Sequence, residues 1–170
     1  GLSVKDVQAL ARDKPVTKLS SNENPFGPSP KAMAAAQSAL ESANIYPERN
    51  DATLCAALAN FHGRGLTPDH FFAGNSGVEV LSLIEEACLD TGNRAIICPP
   101  CFGAYTASLK NKGAEIDQVA LNGDAYDVDV DGIMAAVTPD TRLVYLCNPN
   151  NPTGTWFGED VLSAVLDGLP

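Results

Sequence analysis

Positive charge and histidine are both scarce in this chain. Eleven Lys and Arg stand against twenty-one Asp and Glu, for a formal net charge of −10 at pH 7, and His62 and His70 are the only histidines. No basic cluster stands out. Binding a phosphate backbone needs one, so nucleic acid is not an expected partner. No apolar run approaches bilayer-spanning length, and the opening GLSVKDVQALARDKP has no hydrophobic segment of the signal-peptide kind. A membrane partner is therefore not expected, and the cytoplasm is the default location. Internal repeats and low-complexity tracts are missing too. The cysteines (Cys55, Cys88, Cys98, Cys101 and Cys147) are odd in number and sit mostly in apolar helix or strand patterns, which argues against a disulfide framework. Most are expected to be buried reduced thiols.

What remains is ordinary for a soluble protein with a real core: 170 residues, 45% apolar and 19% charged. Ser3 stands near the N-cap of a short amphipathic helix. Ser29-Pro30 opens an alanine-rich helix to about residue 42, with Ser as N-cap and Pro at the first position. Asp51 is placed to cap a helix ending near Gly63. A regular alternation then begins. HFFAG reads as a strand, 77–89 as a helix with apolar positions 80, 81, 84 and 88, and RAIIC as a strand. Residues 102–112 read as a helix, EIDQVAL as a strand, 131–137 as a short helix, RLVYLC as a strand and 158–168 as a helix. Alternating strands and helices predict an α/β fold: a mostly parallel sheet with helices on both faces, plus an N-terminal arm. RLVYLC is apolar on both faces, as expected of a central strand. Ending one helix after it, the chain reads as a fragment of a longer protein.

Several motifs invite a function and lose it on inspection. Cys98 and Cys101 are spaced as in thiol–disulfide oxidoreductases, but the tryptophan that usually precedes such a pair is missing. A zinc site would need a second C-x-x-C or a histidine pair. DVDVDG, residues 127–132, opens like a calcium loop, yet its twelfth position is Thr138 where a bidentate Glu is needed. Asp131 is expected to cap the helix at 132 instead. No metal site is expected. His62 and His70 read as surface or turn histidines.

Two stretches keep their promise. AGNSGVE follows a predicted strand and opens a helix. Gly74, Ser76 and Gly77 permit close backbone approach there, and the helix N-terminus offers free N–H groups and partial positive charge, an anion site most naturally filled by phosphate. It is neither a Walker A loop nor G-x-G-x-x-G. YLCNPNNPTGT, residues 145–155, lies at the C-terminal end of a strand, where α/β sheets bind ligands. Its prolines make the backbone rigid and its asparagines offer donors and acceptors.

NPNNPTG after an apolar strand resembles the signature of the fold-type I pyridoxal-phosphate aminotransferases. SSNENPFGPSP, NIYPERN, TPDHFFAGNSGVEVLSLI and CPPCFGAY resemble, in order, the arm, Tyr-Pro element, phosphate-binding turn and ring-stacking loop of the histidinol-phosphate aminotransferase branch. The resemblance implies residues 1–44 as the N-terminal arm and part of the small domain, and 45–170 as the first part of the large cofactor-binding domain. It implies pyridoxal 5'-phosphate as cofactor. Gly77 and Val78 would bind its phosphate through their N–H groups, Phe102 would stack on its ring, and Asn151 would donate to the ring hydroxyl. Tyr46 would reach the phosphate of the other subunit of a homodimer, and Asn22 would lie near the substrate entrance. The implied reaction transfers an amino group, from histidinol phosphate or a related amine, with 2-oxoglutarate as the partner oxo acid.

The chain departs from the branch's pattern in places. Gly77-Val78 stand where Ser-Asp is usual, Phe102 where Tyr is usual, and Cys101 where Thr is common. The Schiff-base lysine belongs to a Ser-x-x-Lys context, and no serine here has a lysine three positions on. No catalytic residue is therefore assigned in these residues, and alone they are expected to be inactive and poorly folded. Other enzymes of the same fold, among them aromatic aminotransferases and a threonine-phosphate decarboxylase, remain alternatives, as does a non-catalytic ligand-binding relative.

Overall fold

Ala95, Ile96, Ile97 and Cys98 are all buried, and an unbroken run of buried strand residues requires cover on both faces of its sheet. The computed structural model describes residues 3–12 and 14–170. In chain order its helices and strands are α1 (Val4–Ala11), α2 (Pro30–Ala39), α3 (Ala52–His62), α4 (Gly77–Cys88), β1 (Arg94–Ile97), α5 (Ala104–Lys112), β2 (Glu115–Gln118), α6 (Val130–Ala136), β3 (Thr141–Tyr145) and α7 (Glu159–Gly168). The three strands form a parallel sheet in the order β2-β1-β3. Side chains alternate across it. Ala95 and Ile97 enter a cluster with Leu89, Leu109 and Tyr145, beneath α4 and α5. Ile96 and Cys98 enter another with Ile133 and Val165, beneath α6 and α7. Burying Ile96, Ile97, Leu109, Ile133 and Val165 stabilises the fold by about 2 kcal/mol each.

The chain divides into two compact units, residues 1–50 and 51–170. Tyr46 falls in the first of these units. In the first unit Ser3 caps α1 by a reciprocal capping box with Asp6, and Pro30 occupies the first turn of α2. None of its described side chains is buried.

Three expectations are corrected. HFFAG is not a strand. Residues 68–70 form a 3₁₀ turn closed by a Thr67–His70 capping box, and the extended residues beyond it pair with no strand. The sheet of the described residues thus has three strands. Among the described residues β1 has a strand on each side, and RLVYLC, as β3, pairs with β1. Its apolarity on both faces matches the helices packed above and below the sheet. The cap of α6 is Asp129, whose Oδ1 accepts from the Gly132 N–H at 2.9 Å, and not Asp131. Finally, only Cys55 and Cys98 are buried. Cys88 ends α4 exposed, and Cys101 and Cys147 lie half-buried in loops after strands.

Asp129→Ala is expected to lower unfolding stability by about 1 kcal/mol, as loss of an N-cap does, and Asp131→Ala to leave it nearly unchanged; urea denaturation of both variants checks this. Arg94 Nε donates to Asp117 Oδ2 at 2.8 Å and Nη2 pairs with Oδ1, diagonally across the β1–β2 pair. That pairing holds the Asp117 carboxyl below its ordinary range. A depressed carboxyl contributes stability above its unfolded pKa and loses it as pH falls through the folded value. The stability gap between wild type and Asp117→Asn should therefore persist down to about pH 4 and close below it, in a denaturation series across pH.

Candidate functional site

Open parallel sheets gather ligands beyond the C-terminal ends of their strands. Ile97 and Tyr145 are register partners at that end, so the loops leaving β1 and β3 emerge side by side. Neighbouring groups clamp the first loop on both sides. The Pro99 carbonyl accepts from the Leu121 N–H at 2.8 Å, and the Pro100 carbonyl from Asn150 Nδ2 at 2.9 Å. The bonds preceding Pro100, Pro149 and Pro152 are cis.

The three asparagines of NPNNPTG have different occupations. Asn148 pairs through its side chain with both main-chain groups of Phe157, at 3.1 and 3.2 Å. Asn150 is buried. Besides gripping Pro100, its Nδ2 donates to Thr153 Oγ1 at 2.7 Å, and its main chain exchanges bonds with Gly154 and Thr155. Asn151 alone of the three keeps a side-chain amide with no partner among the described residues, while its N–H donates to Cys147 Sγ at 3.4 Å. The motif thus spends two asparagines on its own shape and presents the third. Residue type alone gave no way to tell these roles apart.

A short connection joins α4 to β1, so the helix runs back along the strand and its N-terminus lies toward the strand's C-terminal end. The turn before it is tight because of Gly74: a Cβ there would stand 3.1 Å from both Glu79 Oε2 and Val80 Cγ2, whereas at Gly77 it would meet nothing. Ser76 is the N-cap, its Oγ accepting from the Glu79 N–H at 3.2 Å. The Glu79 carboxylate folds back onto the Asn75 backbone and side-chain amides. With those donors consumed, the N–H groups of Gly77 and Val78 have no acceptor among the described residues, at the positive end of the helix.

Phe102 lies in the loop just before α5, half-exposed, and meets Tyr105 edge to face with ring centroids 5.6 Å apart. Gly77, Val78, Phe102 and Asn151 all belong to residues 51–170. Tyr46 and Asn22 belong to the first unit, where Tyr46 is 98% exposed and Asn22 occupies a turn at φ 52°.

The other motifs are accounted for locally. His62 stacks on Phe71 at 5.7 Å, and His70 closes the turn at Thr67. Asp127 exchanges main-chain hydrogen bonds with Asn122, and Asp129 caps α6, so the calcium-like run serves the backbone. Burial pushes the Cys98 thiol up to about 11, and burial likewise raises Cys101. A redox nucleophile needs the opposite shift.

Comparison with known proteins places these features in context. The sequence matches the profile of the family described as aminotransferase class I and II over residues 14–169. It is similar to a histidinol-phosphate aminotransferase of Symbiobacterium thermophilum, 39% identical over the whole chain and 46% of that protein. It is also similar to one of Nitrobacter hamburgensis, 41% identical over 91% of the chain and 41% of that protein. The chain thus spans less than half the length of these relatives. Among solved structures, aspartate aminotransferase of Thermus thermophilus superposes with a TM-score of 0.80 at 26% identity, over 99% of this chain and 47% of that one. Histidinol-phosphate aminotransferase of Sinorhizobium meliloti, in complex with pyridoxal-5'-phosphate, superposes at 0.85 over 100% and 46%. Its 24% identity makes that a likeness of fold.

The thiol environments set an order of reactivity. Burial keeps Cys98 protonated well above the range of an ordinary thiol, so little of the reactive thiolate is present near pH 8. Iodoacetamide should therefore label exposed Cys88 first and Cys98 last, as read by mass spectrometry of peptides over time.

Proposed function

The chain belongs to the class I and II aminotransferase family, and on that footing we propose that its protein is a pyridoxal 5'-phosphate-dependent aminotransferase. The proposed amino donor is histidinol phosphate or a related amino acid or amine, with 2-oxoglutarate as acceptor. Similarity to histidinol-phosphate aminotransferases along the whole chain supports that substrate class. The observation that carries the reading is the set of groups left unpaired by an otherwise satisfied site: the N–H groups of Gly77 and Val78, and the side-chain amide of Asn151. Two N–H donors at a helix N-terminus suit a phosphate, and a neutral amide suits a ring hydroxyl. The donor set fits the cofactor.

Gly77 and Val78 would hold the phosphate, Phe102 would keep the ring flat beneath its face, and Asn151 would donate to the ring hydroxyl. When bound, pyridoxal phosphate supplies an electron sink for negative charge at the substrate carbon that carries the amine. Moving a proton at that carbon requires a base, and none of the six lysines follows a serine by three positions. Catalysis in this reading draws its lysine from outside residues 1–170. Exposed Tyr46 would reach the phosphate of the partner in a homodimer, and Asn22 would stand at the substrate entrance. The protein is assigned to the cytoplasm, and no described helix is long and apolar enough to cross a membrane.

Gly77→Pro provides a clean test. Proline is favoured at the first helical position, Ser76 already has the extended backbone that proline requires before it, and Gly77 has open space beside it. The variant should fold normally yet lack one phosphate donor. Its cofactor affinity in the full-length protein is expected to fall about tenfold or more, the loss of one hydrogen bond to a charged group. A visible cofactor band abolished by borohydride should appear in the full-length wild type. Residues 1–170 with added cofactor should not transaminate. Wild-type affinity in Gly77→Pro, or no band in the full-length protein, would remove the proposal.

A further inference from the structure

Beneath Phe102 lies a column of rings that the reading above does not use. Phe102 meets Tyr105 edge to face at 5.6 Å, and Tyr105 stacks on Tyr145 at 4.5 Å with planes 23° apart. Tyr145, at the end of β3, is 9% exposed, and its hydroxyl donates to Glu85 Oε1 at 2.7 Å. Glu85, in α4, is 2% exposed. Its other oxygen accepts from the Ser108 hydroxyl of α5. The nearby Lys112 ammonium pairs instead with Glu86, at 2.7 Å.

A carboxyl buried on two hydroxyls is a costly arrangement for packing alone, since an apolar side chain would fill the space without desolvating a polar group. What it does here is geometric. Glu85 ties α4, α5 and β3 together at one point and fixes the direction of the Tyr145 ring. A ring hydrogen-bonded at its tip and packed in the core is a rigid platform, and Tyr105 lies flat upon it. Tyr105 in turn presents its face or edge to Phe102, in the preferred perpendicular contact. On its hydroxyl side Tyr105 is close to Cys147, whose sulfur receives the Asn151 N–H. The middle ring therefore touches the supports of both loops.

We propose that Tyr145, fixed by Glu85 and acting through Tyr105, is a positioning residue for Phe102 and sets the angle of the aromatic face offered to the cofactor. The inference rests on the reading of Phe102 as the ring-stacking residue. Tyr145 itself touches no cofactor atom in this account, so its influence must travel through the column.

The test uses the full-length protein loaded with pyridoxal phosphate and reads circular dichroism in the visible band, which depends on how the ring is held. Tyr145→Leu removes the platform and should cut that signal at least about threefold, with cofactor affinity about tenfold weaker, the scale of losing aromatic pairs. Tyr145→Phe keeps the ring and should restore the signal to within about twofold of wild type. Tyr105→Leu, at a half-exposed position that disturbs the core less, should reproduce the loss even if Tyr145→Leu does not fold. Ile133→Ala weakens the opposite face of the sheet and should lower the melting temperature while leaving the signal intact. Wild-type dichroism in both leucine variants would overturn the proposal, and so would an equal loss in Ile133→Ala. In either case the cofactor band itself would still stand. A wild type with no such band would instead remove the cofactor reading, and this inference with it.

Discussion

The candidate site depends on one buried amide. Asn150 holds the loop after β3 in shape through Thr153, Gly154 and Thr155, and holds that loop to the one after β1 through the Pro100 carbonyl. Proline brings no N–H of its own, so the loop leaving β1 is fixed by what its carbonyls accept. One of those bonds continues the ladder toward β2 through Leu121, and the other comes from Asn150. Phe102 and Asn151 sit on either side of this clip, each one or two residues from it in sequence. Their placement is inherited from an interaction that neither of them makes.

The same economy governs the turn before α4. A helix N-terminus exposes more donors than any ligand needs, and the chain disposes of the surplus locally. Ser76 takes the Glu79 N–H, the Glu79 carboxylate takes Asn75, and Gly74 lets that carboxylate come close. Two adjacent N–H groups then remain. A carboxylate in the first turn opposes an anion if it faces outward, but here it is turned back on its own loop. The site is selective through what has been subtracted from it.

Helices on both faces let a three-stranded sheet bury an unbroken run along β1, and they also hide the strand order from a reader of the sequence. RLVYLC is apolar on both faces because its hydrophobicity answers to α4 and α5 on one side and to α6 and α7 on the other. HFFAG has strand composition but pairs with no strand among the described residues. The first unit shows the complementary case, with α1 capped by Ser3 and Asp6 and described side chains that nothing in the unit buries.

Local chemistry was enough to place most elements. Capping residues, proline at a first turn, glycine after a helix and apolar spacing located α1 to α7 and the three strands from the sequence alone, and with them the α/β class. The motif NPNNPTG was placed after a strand, and it does follow β3. The resemblance had singled out Asn151; the tertiary structure supplied the physical difference, since Asn148 and Asn150 are engaged by partners from other segments. It likewise chose Asp129 over Asp131 and left Cys88 exposed. Glu85 sits four residues from Leu81 on the apolar stripe of its helix, a polar intrusion that the pattern carried openly. Its meaning came from Tyr145, sixty residues away, and long-range pairing of that kind is what spacing along a chain cannot express.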